Sequence, residues 1–257
     1  GVHLRDEDRP LMSTVRGSVK RHRRGTDLVA VGDRVWVRDV GEAEGQIVAI
    51  EPRVRSLARL ARHTRDVEQI ILANPDRALF LFAWKEPEPH LRMLDRFLVL
   101  AESRGLPAII GLNKLDDPED DLEAARTFLA DYLPLYPVRF ISVQTGFGLD
   151  QIRADLDGKV TVVAGPSGAG KSSLLNRLDP AITQQIGEIS DATGKGRHTT
   201  TSTILFEIGP ETFVADTPGI RALALQGVAP EELPDCFPEA RPFLGNCFYA
   251  DCAHLHE

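Results

Sequence analysis

The chain has 257 residues, 42% hydrophobic and 26% charged, with three cysteines, all beyond residue 235. That is room for two or three modules of a soluble globular protein; no apolar run approaches the ~20 residues of a membrane helix, and the polar start Gly1–Asp6 does not read as a signal peptide. The cysteines do not make a disulfide framework, so a reducing cytoplasm is expected.

The net charge of −8 is unevenly spread. Residues 1–66 hold 14 Lys and Arg against 10 Asp and Glu, and the remainder 16 against 28. A basic module joined to an acidic one suggests that the first part meets a polyanion, the alternative being a solvated surface with no partner. Residues 1–12 read as a loose arm or the remnant of a strand. Short β-type runs follow at Thr14-Val15, Asp27–Val31, Arg34–Arg38 and Gly45–Ile50, separated by turn residues. Such spacing suggests a small barrel, and OB-fold barrels of this size bind nucleic acid. Lys20–Arg24 is a basic cluster suited to phosphate contacts. Trp36 is the one large ring on offer, and its valine neighbours favour a core position, so backbone or shape contact is expected rather than base stacking.

Residues 53–70 read as a linker, extended from Val67 to Leu72. An alternating pattern then begins: strand Arg77–Ala83, helical stripe Leu91–Ala101, strand Leu106–Leu112, helix Leu122–Tyr132, strand Val138–Ile141, helix Leu149–Leu156 and strand Lys159–Ala164. Alternating β and α implies a parallel sheet wrapped by helices, with ligands at the carboxyl ends of the strands. Ile189–Ser202 is polar and aperiodic, and is expected to be a mobile loop. Ser202–Ile208 and Glu211–Ala215 read as a hairpin.

The last parallel strand runs into Gly165-Pro166-Ser167-Gly168-Ala169-Gly170-Lys171-Ser172-Ser173 and then a helix. Gly165, Gly170, Lys171 and Ser172 match G-x-x-x-x-G-K-[ST]. Glycines let the backbone curl so that successive N–H groups point at phosphate oxygens, and the helix start adds its positive dipole end. Lys171 can reach the outer phosphates, and Ser172 can offer a hydroxyl to Mg²⁺. Asn113-Lys114-Leu115-Asp116, at another strand end, matches N-K-x-D. The Asp116 carboxylate can accept from N1–H and the 2-amino group of guanine, a donor pair that adenine lacks; Asn113 can bond another base edge, and the Lys114 stem can lie along the ring. Ser142-Val143-Gln144-Thr145-Gly146 offers backbone N–H groups near the guanine oxygen. Asp216-x-x-Gly219 supplies a second phosphate motif, with Asp216 on Mg²⁺ and the Gly219 N–H on the terminal phosphate. Thr200 or Thr199 can complete the Mg²⁺ shell.

The base motifs precede the phosphate loop, the reverse of ordinary GTPases. This permuted order, the β-rich basic start, Gly196-Arg197-His198-Thr199-Thr200-Thr201 and a C-terminal Cys/His cluster together resemble the ribosome small subunit-dependent GTPase A (RsgA) family, from about Gly17 to the end. The resemblance implies three modules: an OB-fold over 1–66 that contacts 16S ribosomal RNA, a circularly permuted α/β P-loop GTPase domain over 67–225, and a small zinc-binding helical module over 226–257. It implies a GTP hydrolase, using GTP/GDP and Mg²⁺, that assists late maturation of the small (30S) ribosomal subunit and is stimulated by it. A monomeric cytoplasmic protein with no membrane partner is expected.

Two departures stand out. Many GTPases follow D-x-x-G with a Gln that orients the attacking water; here Ile220 cannot. His198, with Lys171 and Thr200, is the catalytic candidate, the alternative for His198 being RNA contact or loop structure. In the tail, Cys247, Cys252 and His254 have zinc-ligand chemistry. The family's fourth ligand, a Cys a few residues beyond, is missing here; His256 or water could replace it, or the site is weak or empty, and Cys236 reads as structural. Competing readings are a nucleotide-regulated, non-catalytic RNA-binding module and a P-loop nucleotide kinase; for the latter neither an acceptor site nor an arginine-rich lid is visible.

Overall fold

The computed structural model describes residues 2–4, 7–15, 29–41, 44–60, 68–182, 203–216 and 228–246. His198, Thr199, Thr200, Gly219, Ile220, Cys247, Cys252, His254, His256 and the Lys20–Arg24 cluster lie outside these residues. The chain divides into two compact units, residues 1–74 and 75–257.

In the first unit, β1 (Val2–Leu4), β2 (Glu7–Val15), β3 (Val35–Gly41) and β4 (Glu44–Ile50) form a sheet of order β1-β2-β4-β3. β2 and β4 are parallel, Met12 opposite Glu44; the other pairs are antiparallel. The start is therefore paired strand, not a loose arm. The described part of the run expected over 27–31 is a turn: the Asp33 N–H donates to the Ala30 carbonyl at 3.2 Å, and the Ala30 N–H to Asp33 Oδ2 at 2.8 Å. Trp36 is not core either. Val35 and Val37 are half-buried while Arg34, Trp36 and Arg38 are exposed, because successive side chains of a strand point to opposite faces.

Much of the described part of the expected linker is also strand. β5 (Ser56–Leu60) pairs antiparallel with β6 (Glu68–Ala73). Leu57, Ala58, Ile70, Leu72 and Ala73 are buried, an apolar pattern that the basic residues among them disguise in the sequence. Asn74 closes the unit: its Oδ1 accepts the Val54 N–H at 2.9 Å and its Nδ2 donates to the Gly32 carbonyl at 3.1 Å. Those bonds hold β6 to the first unit and carry its boundary past residue 66. Arg53 forks onto both Asp33 oxygens at 2.7 Å each.

The second unit is built on β7 (Arg77–Ala83), β8 (Ala108–Asn113), β9 (Val138–Phe140), β10 (Val160–Ala164), β11 (Ile204–Gly209) and β12 (Thr212–Asp216), in the order β11-β12-β10-β7-β8-β9. All neighbours are parallel except the β11–β12 hairpin. The helices are α1 (Leu91–Ser103), α2 (Pro118–Phe128), α3 (Leu149–Leu156) and α4 (Lys171–Leu178). β7 shows why a continuous apolar run fits here. Leu79 and Leu81 pack into the cluster that holds Ile152, Leu156, Leu174 and Leu175 of α3 and α4. Phe80 and Phe82 meet Phe97 of α1, with ring centroids 5.2 and 6.1 Å apart. With both faces covered, period-two alternation has nothing to alternate between.

The described C-terminal segment is three short 3-10 turns, over Pro230–Glu232, Pro234–Cys236 and Arg241–Phe243, and belongs to the same compact unit as the sheet. Arg241 pairs with Glu102 of α1 at 2.5 Å. Cys236 is buried, which pushes its thiol pKa up, and Sγ donates to the Glu232 carbonyl at 3.4 Å. Among the described residues no helix is long and apolar enough to cross a membrane.

Candidate nucleotide-binding site

Strands β10 and β7 lie side by side but send their helices to opposite faces: α4 joins the cluster with Leu79 and Leu81, while α1 stacks on Phe80 and Phe82. Diverging connections open a crevice at the carboxyl ends of the two strands, where open α/β sheets bind ligands. The phosphate loop occupies it.

Backbone geometry explains the loop's composition. Gly165 sits so close to β7 that a Cβ there would stand 1.9 Å from the Leu81 carbonyl oxygen. Gly170 has φ +92°, and its Cβ would stand 2.3 Å from Asn113 Nδ2. No larger residue fits either place. α4 starts at Lys171 behind Gly170, which has no side chain to cap the first turn, and such a helix start suits an anion. Lys171 Nζ donates to the carbonyls of Gly165 and Pro166 at 2.9 and 2.7 Å, lying along the loop. Ser167, Gly168, Ser172 and Ser173 are exposed and Ala169 is buried. This donor set, curled and uncapped, fits a phosphate chain, and the Ser172 hydroxyl beside it suits a hard cation.

Asn113 joins that loop to the base motifs. Its side chain is 3% exposed. Nδ2 donates to the Ala169 carbonyl at 2.9 Å, and Oδ1 accepts the Val143 N–H at 3.0 Å. One amide thus ties the phosphate loop to the segment after β9, so its main observed work is to place loops. The turn after Asn113 is forced: Lys114 has φ +68°, costly for a residue with a Cβ, and the Leu115 N–H donates to the Ile141 carbonyl at 3.1 Å. The turn projects Asp116 outward. Fully buried Ser142 donates its hydroxyl to Asp116 Oδ1 at 2.5 Å and accepts the Thr145 N–H at 3.0 Å. Asp116 is exposed but oriented, an acceptor held ready for an edge with paired donors. β12 runs parallel to β10 with Asp216 level with Val163, which puts the Asp216 backbone at the same sheet edge.

The structure therefore brings Asn113, Lys114, Asp116, Ser142, Val143, Gly165–Ser173 and Asp216 to one edge. It adds a segment that the motifs did not flag. The loop from β7 to α1 passes beside the phosphate loop: Lys114 Nζ donates to the Glu86 carbonyl, and Pro87 Cδ lies 3.1 Å from where a Gly168 Cβ would be. Its signal in the sequence was Glu86-Pro87-Glu88-Pro89 at a strand's carboxyl end. Among the described residues no group of three His, Cys, Asp or Glu is placed to hold a metal ion.

A family model described as RsgA GTPase matches residues 50–226. Small ribosomal subunit biogenesis GTPase RsgA of Gemmatimonas aurantiaca is 43% identical over 248 residues, 95% of this chain and 80% of that protein. The protein of the same name from Alkaliphilus metalliredigens is 37% identical over 239 residues, 93% and 78% of the two chains. The crystal structure of YjeQ from Thermotoga maritima is similar with a TM-score of 0.75 and 32% identity, covering 95% of this chain and 78% of that one. YloQ, titled a circularly permuted GTPase, gives a TM-score of 0.74 and 29% identity, covering 98% and 77%.

Proposed function

The chain belongs to the RsgA GTPase family and is a GTP-hydrolysing enzyme of circularly permuted fold, and from that premise we propose that it binds the small ribosomal subunit and assists its late maturation, its turnover stimulated by that subunit. The relatives' shared name, small ribosomal subunit biogenesis GTPase, supports the partner. The observation that carries the nucleotide assignment is the Asn113 amide, which locks the phosphate loop and the base-reading segment into one site.

In this reading Asp116 accepts from the guanine N1–H and 2-amino group, oriented by Ser142, with Val143 and Lys114 beside the base. Gly165–Ser173 wraps the phosphates, Lys171 neutralises the outer ones, and the Gly219 N–H senses the last. Ser172, Asp216 and Thr200 would hold Mg²⁺, which when bound offsets charge on the phosphate oxygens. Water attacks the γ-phosphorus, the bridging P–O bond to the β-phosphate breaks, and GDP and phosphate leave. Ile220 offers that water no hydrogen bond, so His198 orients it, completed by contact with the subunit. The first unit is an OB-fold facing 16S ribosomal RNA, a role that its excess of basic residues supports. Cys247, Cys252 and His254 ligate one zinc ion. The protein is monomeric and cytoplasmic.

GTP turnover with and without isolated small subunits tests this reading. Stimulation of about tenfold or more is expected; equal rates would remove the subunit from the account. His198→Ala should abolish most of the stimulated turnover and keep nucleotide affinity, and unchanged stimulated turnover would release His198 from catalysis.

A further inference from the structure

We infer that the exposed row Arg34-Trp36-Arg38 on β3 is a stacking platform for an unpaired base of RNA. The inference rests on the reading that the first unit meets ribosomal RNA, and it names the contact. Trp36 is 63% exposed. A lone exposed apolar residue needs no explanation, but three observations set this ring apart.

First, its row is cationic. Arg34 and Arg38 stand two residues to either side, about 7 Å away along the strand. Both are exposed, and neither guanidinium has an ion-pair partner among the described residues. Of the nearby acids, Asp33 is taken by Arg53, alternation turns Asp39 to the other face, and Glu51, which meets Arg34 across the ladder through its backbone N–H, forms no ion pair with it. Second, the ring is left uncovered. Its cross-strand partner is Ala49, itself exposed and too small to shield an indole. Third, the pairing is irregular at this point. Trp36 pairs with Ala49 but Val37 with Ile47, skipping Val48, on the edge strand of the sheet. Such bulges re-aim side chains and accompany functional positions.

An aromatic face between two guanidinium groups matches the chemistry of a single strand, with base on ring and phosphates on cations. A duplex has no free base face to give, and an apolar protein surface would leave both arginines without counter-charge.

The test uses the full chain and two fluorescent probes of equal charge: a single-stranded RNA octamer, and the same backbone without bases. Trp36→Ala should weaken octamer binding roughly 5- to 150-fold and leave the abasic probe unchanged, while Trp36→Phe keeps most of the octamer affinity. Arg34→Gln and Arg38→Gln should weaken both probes and each lower the salt slope by about one. GTP turnover without subunits should be normal in every variant, which reports an intact second unit. Unchanged octamer binding by Trp36→Ala overturns the platform. So does equal loss on both probes, which would mean a structural ring. So does loss of subunit binding with octamer binding intact, which would assign Trp36 to a ribosomal protein. Wild-type protein that shows the octamer pattern but no stimulation by subunits would defeat the proposed function and leave the platform standing.

Discussion

In the six-stranded sheet every residue from Ala78 to Ala83 of β7 is buried, whereas β3 of the first unit alternates half-buried and exposed positions from Val35 to Arg38 and is exposed from Asp39 to Gly41. A sheet covered on both faces can meet a ligand only at its edge, so its function moves into loops whose backbone carries the specificity. That is where positive φ gathers in this unit: Gly165, Gly168, Gly170 and Lys114 all lie on the nucleotide edge. A strand with one open side can instead present a row of side chains. The first arrangement suits a small ligand gripped by N–H groups, the second an extended one read by rings and charges. The two units should therefore fail independently when disturbed.

The largest effect is expected at Gly165. An added Cβ would overlap the Leu81 carbonyl, and both partners are backbone, so neither can swing away. Gly165→Ala should cost at least about 3 kcal/mol of nucleotide binding, roughly a 100-fold loss of GTP affinity or more. Calorimetric titration with GDP would read it, and near-normal affinity would show that the close approach to β7 is dispensable. The first unit should be unaffected, with octamer binding unchanged.

The reverse case lies at Asp33, whose side chain is 1% exposed and grips Arg53 with both oxygens. Asp33→Ala takes two hydrogen bonds from a largely buried guanidinium and removes the acceptor that the Ala30 N–H uses. A loss of roughly 3 kcal/mol in the stability of the first unit is expected. Hydrogen exchange of the β5 and β6 amides under increasing urea would show it, with GTP affinity unchanged; a parallel fall in GTP affinity would mean that the units are not independent.

The same contrast decides what could be read from the chain alone. In the second unit, long apolar runs and glycine-rich turns announced strands and helices in the correct order, because covered parallel strands leave a strong signal. The first unit was less legible. β5 hid behind Arg55 and Arg59, and β1 and β2 behind dense charge. Trp36 looked like core because its neighbours are valines, and only the strand's alternation shows that they point the other way. Within the site, the motifs located Asn113 as a candidate base contact but not its second task. That its amide ties Ala169 to Val143 depends on three segments 30 and 56 residues apart, and no local pattern encodes such a bridge.

The smallest expected effects sharpen the contrast most, because they compare two hydroxyls of similar worth. Ser142→Ala removes the donor to Asp116 Oδ1 and the acceptor of the Thr145 N–H. Tyr132→Phe removes the donor to Asp95 Oδ1, 2.6 Å away, in a contact between the segment after α2 and α1. Burial, then the Asp95 carboxylate, raises the Tyr132 pKa, so the phenol stays protonated and remains a donor throughout the working range. Each deletion should cost about 1 kcal/mol. For Tyr132→Phe that cost should appear only as a small drop in melting temperature, with GTP affinity intact. For Ser142→Ala it should appear as roughly fivefold weaker GTP binding, since Asp116 then has to be ordered by the ligand itself. ATP offers no paired donors to Asp116, so its weak binding should not change. Equal GTP affinity in the two variants would show that Asp116 needs no help from Ser142, and that the short bond between them is only packing.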